Sequence, residues 1–154
     1  MELIEAQQLA KELMQQHNVS HYHFKFDNAV RRFGYCNYSK KTISLSKKIV
    51  SLNDQATVKN VILHEIAHAM LGHGYGHNAT WVRTAKSIGC DGKRCYSRNE
   101  VSTPKLKYSV ICTNCKGKWK RAKKPIKGLA CGSCCKKFNG GKYSKEFIFE
   151  VVLN

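Results

Sequence analysis

Acidic residues are scarce in this sequence. The 154 residues include 10 Asp and Glu against 27 Lys and Arg, so the formal net charge is +17. A chain this basic repels basic partners and favours polyanions, of which nucleic acid and anionic membranes are the common examples. Only 2 prolines and 11 glycines are present, which excludes collagen-like and proline-rich architectures.

Long apolar runs are also missing. The strongest one, from Val61 to Leu63, ends at His64, far short of the roughly 20 residues that a membrane-spanning helix needs. The N-terminal segment is acidic and helix-like, and it lacks the basic and then apolar order of a secretory signal. We therefore expect an intracellular protein with no membrane partner, whose eight cysteines are reduced and free to bind metal.

The positive charge is concentrated towards the C-terminus. Residues 1–103 carry 14 Lys and Arg against 8 Asp and Glu, a net charge of +6. Residues 104–154 carry 13 against 2, a net charge of +11. The composition changes near Pro104, so we predict two domains, one of residues 1–103 and a basic minidomain of residues 104–154.

Hydrophobic periodicity and capping residues predict an α+β fold for the first domain. The patterns predict helices over residues 2–16, 54–71 and 78–88, and strands over 21–27, 32–38 and 42–46. Asn53 or Asp54 can cap the second of these helices, and Asn78 can cap the third. The apolar residues that the second helix offers for packing are Val58, Val61, Ile62, Ala69 and Met70.

The minidomain is predicted to form short strands around cysteine-containing turns.

His64-Glu65-Ile66-Ala67-His68 is the most informative motif in the chain. Residues four apart lie on the same face of a helix, so the two imidazoles can bind one Zn²⁺. Glu65 lies beside that face, where its carboxylate can take a proton from a zinc-bound water. The motif therefore predicts a catalytic zinc with His64 and His68 as ligands. An ordinary helix with two surface histidines is the alternative.

A catalytic zinc usually takes a third protein ligand, and the candidates are His73 and His77. Both follow the helix in a glycine-rich segment, residues 72–77, in which the chain can turn back. His77 directly precedes a predicted helix that could hold it rigidly, which favours it slightly over His73.

Cys112, Cys115, Cys131 and Cys134 form two C-x-x-C pairs with 15 residues between them. Two pairs at this spacing predict a zinc ribbon, in which four thiolates hold a structural Zn²⁺. Cys135 could replace Cys134 as a ligand, and redox-active or unpaired thiols are the alternative. Because the minidomain is polar, it has little hydrophobic core, and a bound metal would supply much of its stability.

The minidomain combines a run of cations with aromatic residues. Cations neutralise phosphates, and exposed aromatic rings stack on unpaired bases, so the run predicts contact with single-stranded or distorted DNA. A solvated basic face, with the aromatic residues packed inside, is the alternative. The candidate DNA-binding residues are Lys116, Lys118, Trp119, Lys120, Arg121, Lys123, Lys124 and Lys127.

Two parts of the first domain resemble the SprT-like metallopeptidase family, to which the Spartan proteases belong. One part is the H-E-x-x-H motif followed by Gly76-His77-Asn78 and Trp81, and the other is the preceding stretch of residues 26–46. The resemblance spans residues 5–95, and the basic tail is similar to the zinc ribbon of bacterial SprT members.

The resemblance implies a zinc-dependent protease in which His64, His68 and His77 are ligands and Glu65 is the general base. It also implies a zincin-like fold, with an N-terminal helix, a small antiparallel three-stranded sheet, the active-site helix and a following helix. Spartan-type members act on proteins crosslinked or tightly bound to DNA, and DNA stimulates them. This implies a function in the repair of DNA–protein crosslinks.

We therefore expect a monomeric endopeptidase that cleaves DNA-bound or DNA-crosslinked proteins, in the cytoplasm or on the nucleoid. Its cofactors are one catalytic and one structural Zn²⁺, and its partners are DNA and DNA-bound proteins. Two alternatives stay open. The chain could be a non-catalytic nucleic-acid-binding zinc protein on a peptidase-like fold, or a metal-dependent hydrolase with a non-protein substrate.

Overall fold

Residues 1–96 and 99–154 are described by the computed structural model. The chain divides into two compact units, Met1–Pro104 and Lys105–Asn154. Within the described residues, no helix combines the length and the apolar character needed to cross a bilayer.

The first unit has four helices and three strands among its described residues, and its class is the α+β class expected from the sequence. The short helix α2 was not predicted, whereas the other elements lie close to their predicted positions. The elements are α1 (Leu3–Gln16), β1 (His23–Asp27), β2 (Gly34–Asn37), β3 (Thr42–Ser46), α2 (Lys47–Val50), α3 (Gln55–Leu71) and α4 (Ala79–Ser87).

The sheet of this unit is mixed, with the strand order β1-β3-β2. The expectation of a fully antiparallel sheet is wrong in one pairing. β2 and β3 form the expected antiparallel hairpin, with Cys36 opposite Ile43. β1 instead runs parallel to β3, with Phe24 beside Ile43. After β1, the chain passes over the central position of the sheet and forms β2 at the opposite edge. The hairpin then brings β3 back into the centre, where it runs in the same direction as β1.

Helix α3 is the central element of the first unit. It packs against α1, α4, β2 and β3, and its side chains from Val61 to Ala69 are buried. Met70, which was expected to pack, is 43% exposed. Of the two possible capping residues, the structure selects Asp54, whose carboxylate accepts a hydrogen bond from the Thr57 N–H at 2.8 Å. A helix buried on nearly all sides holds its side chains in fixed positions.

The second unit is a small antiparallel sheet with one short helix. The elements are β4 (Tyr108–Cys112), β5 (Lys118–Arg121), α5 (Gly132–Phe138), a 3₁₀ turn (Lys145–Phe147) and β6 (Phe149–Leu153). The strand order is β5-β4-β6, so β4 is central. Four cysteines and Phe147 form the buried cluster of this unit, and this core is too small to stabilise a polar unit alone.

Asn53 joins three segments of the first unit. Its side-chain amide donates to the carbonyls of Ile49 at 2.7 Å and of Ser102 at 2.8 Å. Its side-chain oxygen accepts the N–H of Ser102 at 2.9 Å, and its own carbonyl accepts from the Met1 ammonium at 2.6 Å. Asn53 therefore fixes residue 102 beside α2.

Asn53→Ala is expected to lower the free energy of unfolding by about 2–3 kcal/mol, because it leaves partly buried main-chain groups without partners. Asn28→Ala is the matched control, since Asn28 is exposed, and it should change stability by less than about 0.5 kcal/mol. Urea denaturation measures both values. Equal losses in the two variants would show that Asn53 does not hold this junction.

Candidate metal centre and nucleic-acid surface

Three histidines meet at one point in the first unit. His64 and His68 project from the same face of α3, one turn apart, as the helical spacing predicts. The Nε2 atom of His77 lies 3.0 Å from that of His64 and 3.1 Å from that of His68. The structure therefore brings together the three histidines that the sequence analysis selected as ligands.

The loop between the two helices makes this convergence possible. Gly72, Gly74 and Gly76 all have positive φ angles, at 76°, 100° and 54°. Glycine adopts this conformation without steric cost, so the chain can reverse within a few residues of the end of α3. Directly after the turn, the Asn78 side chain caps α4 by accepting the Trp81 N–H at 3.0 Å. The cap holds His77 at the start of a regular helix.

The three imidazoles have the donor chemistry that a divalent metal requires. Their ligand atoms all lie within 4.8 Å of one another. Zinc–nitrogen bonds of 2.0–2.1 Å at tetrahedral angles would place the nitrogens about 3.3 Å apart, close to the separations here. Burial, together with the neighbouring imidazoles, lowers the pKa of both His64 and His68 to about 4. Both rings are therefore neutral at pH 7, as metal ligation needs.

Trp81 packs against all three histidines. Its indole is fully buried, and its ring centre lies 4.6 Å from that of His64, 5.1 Å from that of His68 and 4.5 Å from that of His77. Sequence reasoning quoted Trp81 as part of a resemblance but gave it no function. The available signal was its place in the first turn of the helix that directly follows His77.

Tyr38 contacts the outer nitrogen of His68. Its hydroxyl lies 3.3 Å from His68 Nδ1, while Nε2 of the same ring faces His77. Burial raises the pKa of Tyr38, so the phenol stays protonated and neutral. A partner at the outer nitrogen fixes which nitrogen carries the proton and how the ring is turned. Sequence reasoning missed Tyr38, because 30 residues separate it from His68.

The segment after α4 folds back beside His64. Asn60, one turn before His64 on α3, accepts the main-chain N–H of Asp91 at 2.9 Å and donates to the Tyr96 hydroxyl at 3.4 Å. The Tyr96 ring centre lies 6.3 Å from that of His64. Asn60 thus holds both ends of this segment against the active-site helix, a contact that the sequence gave no means to predict.

Glu65 is buried between α3 and β2. A Cβ atom at Gly34 would lie 2.6 Å from Glu65 Oε1, so the carboxyl group occupies the space that a side chain at position 34 would need. Burial raises the pKa of Glu65 to about 8, although Arg32 and the main-chain N–H of Cys36 partly oppose this. The pKa therefore lies near neutral pH, where a group can both accept and return a proton.

His73, the other candidate for the third ligand, is exposed and lies outside the histidine cluster. Its ring packs edge-on against Tyr38, with the ring centres 5.8 Å apart. Of the two candidates, His77 therefore lies beside His64 and His68, whereas His73 does not.

The second unit brings four sulfur atoms together. Cys112 and Cys134 have their sulfurs 3.7 Å apart, and Cys115 and Cys131 have theirs 3.9 Å apart. These distances are too long for disulfides and match the separation of about 3.8 Å that zinc–sulfur bonds of 2.3 Å give in a tetrahedron. Cys135 is buried but is not a member of this group in the described chain.

All eight candidate DNA-binding residues are exposed. Trp119 is 41% exposed and packs edge-on against Phe149, with the ring centres 5.4 Å apart. Trp119 and Arg121 alternate with Lys118 and Lys120 along β5, so they lie on the same face of the strand. That face borders a hollow of about 400 Å³, which Lys136 also lines.

A model of the SprT-like family matches residues 5–104. Among solved structures, the chain is similar to the metallopeptidase zymogen jannalysin of Methanocaldococcus jannaschii. The two are 18% identical, and the match covers 62% of this chain and 85% of that one with a TM-score of 0.48. No curated protein matches the chain.

Tyr38→Phe should weaken zinc binding at the histidine cluster about 10- to 100-fold, because His68 loses the partner of its outer nitrogen. Competition with a chromophoric chelator measures the affinity. Tyr22→Phe is the control, since it removes a hydroxyl from another buried tyrosine of the same unit. If both variants bind zinc equally tightly, Tyr38 does not orient His68.

Gly34→Ala should reduce peptide cleavage roughly 100-fold and leave the bound metal in place. The new Cβ would also approach Glu65 Cγ and Cδ, at 2.8 and 3.0 Å, so the whole carboxyl group must move while the histidines need not. Steady-state kinetics and metal analysis on the same sample check both parts. Undiminished cleavage would show that the position of Glu65 is not critical.

Proposed function

The chain belongs to the SprT-like family, and we propose that it is a zinc-dependent endopeptidase that cleaves proteins bound or crosslinked to DNA. The observation that carries the proposal is the joint placement of three converging imidazoles and a buried glutamate on and around α3. Three histidines leave one position of a tetrahedral zinc open, which is typical of catalytic and not of structural sites.

The Nε2 atoms of His64, His68 and His77 would hold the metal. When bound there, zinc supplies a Lewis acid that polarises the scissile carbonyl and makes a water more acidic. The contribution of the protein is the fixed geometry of these nitrogens. Trp81 and Tyr38 support that geometry from two sides.

Glu65 moves the proton in this proposal. Its carboxylate takes a proton from the attacking water, whose oxygen adds to the carbonyl carbon of the scissile peptide. The protonated carboxyl then gives that proton to the amide nitrogen as the carbon–nitrogen bond breaks. The free carboxylate is regenerated, and the products are a new carboxyl group and a new amine.

The edge strand β2 offers a place for the substrate chain. In the order β1-β3-β2, one side of β2 pairs with β3, and no strand among the described residues pairs with the other side. An extended peptide can add to such an edge through main-chain hydrogen bonds, which bind without regard to sequence. The inward face of the same strand packs against α3 beside Glu65. A peptide paired there would pass close to the general base.

The charge of the second unit supports DNA as the partner. Residues 104–154 carry a net charge of +11, and β5 presents its cations together with an exposed tryptophan. Holding the enzyme on DNA would raise the local concentration of DNA-bound protein and favour its cleavage over that of free protein. The same features would suit a non-catalytic nucleic-acid-binding zinc protein, which is the second candidate function.

The test is cleavage of a DNA-binding protein by the zinc-loaded chain, with single-stranded, double-stranded or no DNA. Cleavage should depend on DNA, and Glu65→Gln should lower it by about 10²- to 10⁴-fold with an unchanged metal content. Glu12→Gln, a change at an exposed glutamate of α1, is the matched control and should cleave like the wild type.

Two results would contradict the proposal. DNA binding without cleavage under any condition would favour the non-catalytic alternative. Equal turnover in the wild type and Glu65→Gln would remove Glu65 from the mechanism.

A further inference from the structure

The outer face of the first unit's sheet contains a second basic site. The face opposite α3 forms a hollow of about 200 Å³ that all three strands line. Pairing across the sheet places Lys25, Ser44 and Tyr35 in one row. The lining residues are Lys25, Asp27, Arg32, Tyr35, Asn37, Lys40, Thr42 and Ser44.

The hollow has an excess of positive charge. Arg32 binds Asp27 through a contact of 2.8 Å, so these two charges offset each other. Hydrogen bonds from Ala29, Arg32 and Ser44 outweigh the effect of burial and lower the pKa of Asp27, which therefore stays ionised at neutral pH. Within the described part of the chain, neither Lys25 nor Lys40 forms an ion pair. Two ammonium groups thus remain available to an anion.

Tyr35 gives the hollow an aromatic wall. The Arg32 guanidinium lies 4.6 Å from its ring centre and covers one face of the ring. The residue is nevertheless 44% exposed, so ring surface remains available to a ligand. An arginine stacked on a tyrosine forms a flat surface on which a planar base can pack.

We propose that this hollow binds single-stranded nucleic acid, with one phosphate at Lys25, another at Lys40 and one unstacked base against Tyr35. Cations beside an exposed aromatic ring on an open sheet face are the features by which proteins hold single strands. A small concave site admits one base and excludes the side of a duplex. The choice of nucleic acid as the ligand rests on the proposed function.

The site lies on the reverse side of the strand that supports Glu65. Along β2, Gly34 and Cys36 face α3, whereas Tyr35 and Asn37 face the hollow. Occupation of the hollow would therefore stiffen the strand that packs against the general base. The proposal thereby adds a nucleic-acid contact within the peptidase unit itself.

Binding of a fluorescent oligothymidine to the zinc-loaded 154-residue chain over a range of salt concentrations tests the phosphate contacts. Each phosphate contact with a single strand contributes about 0.7 to the slope of log affinity against log salt. The double variant Lys25→Ala/Lys40→Ala should therefore reduce the slope by about 1.4. The matched control Lys47→Ala/Lys48→Ala removes two exposed lysines outside the hollow and should leave the slope unchanged.

Photocrosslinking of an oligonucleotide that contains 5-iodo-deoxyuridine tests the base contact. Crosslinks should map to Tyr35, should survive Tyr35→Phe, which keeps the ring, and should vanish in Tyr35→Ala. Equal slopes for the two lysine pairs, or crosslinks confined to residues 105–154, would overturn the site. The site would also be overturned if the Lys25 and Lys40 substitutions weakened the binding of an acidic peptide as much as they weakened the binding of the oligonucleotide.

The outcomes separate this site from the proposed function. Wild-type DNA-dependent cleavage together with unaffected hollow variants would overturn this inference alone. Loss of binding in the hollow variants of a chain that cleaves nothing would support the site and refute the peptidase. A wild-type chain that binds no DNA would refute both.

Discussion

The contact among the Nε2 atoms of His64, His68 and His77 is the interaction on which the first unit depends. Two of the three rings, those of His64 and His68, are buried, and an unsatisfied buried polar group costs about 1–3 kcal/mol. Among the described residues, His64 Nδ1 and Trp81 Nε1 are buried without a hydrogen-bond partner. A metal held by the three Nε2 atoms would give those ring nitrogens a partner and would couple metal binding to the stability of the fold.

The second unit has the same dependence in a simpler form. Its buried cluster consists mainly of cysteines, and three of the four residues that would ligate the metal, Cys112, Cys131 and Cys134, belong to it. Although burial opposes ionisation, hydrogen bonds from the main-chain N–H groups of Cys115 and Asn114 lower the pKa of Cys112, which favours the thiolate that a metal requires. The polar and cationic side chains of the unit are thereby left on its surface.

Local patterns predicted most of what the structure shows. The spacing of His64 and His68, the helix caps and the two C-x-x-C pairs each depend on residues close in sequence, so chain geometry alone fixes them. The parallel pairing of β1, the contact of Tyr38 with His68 and the exposure of Met70 could not be predicted, because each depends on which distant segments meet. The third ligand, His77, could be predicted only in part. The glycines of residues 72–77 indicated that the chain turns back, but they did not show where the chain after the turn would lie.

Native mass spectrometry of the zinc-loaded chain counts the bound ions and thereby tests the metal centre. The wild type should carry two zinc ions per chain, one at the histidine cluster and one at the four cysteines. His77→Ala should retain only one ion, whereas His73→Ala should retain both. Loss of an ion in His73→Ala, or retention of both in His77→Ala, would contradict the assignment of the metal centre.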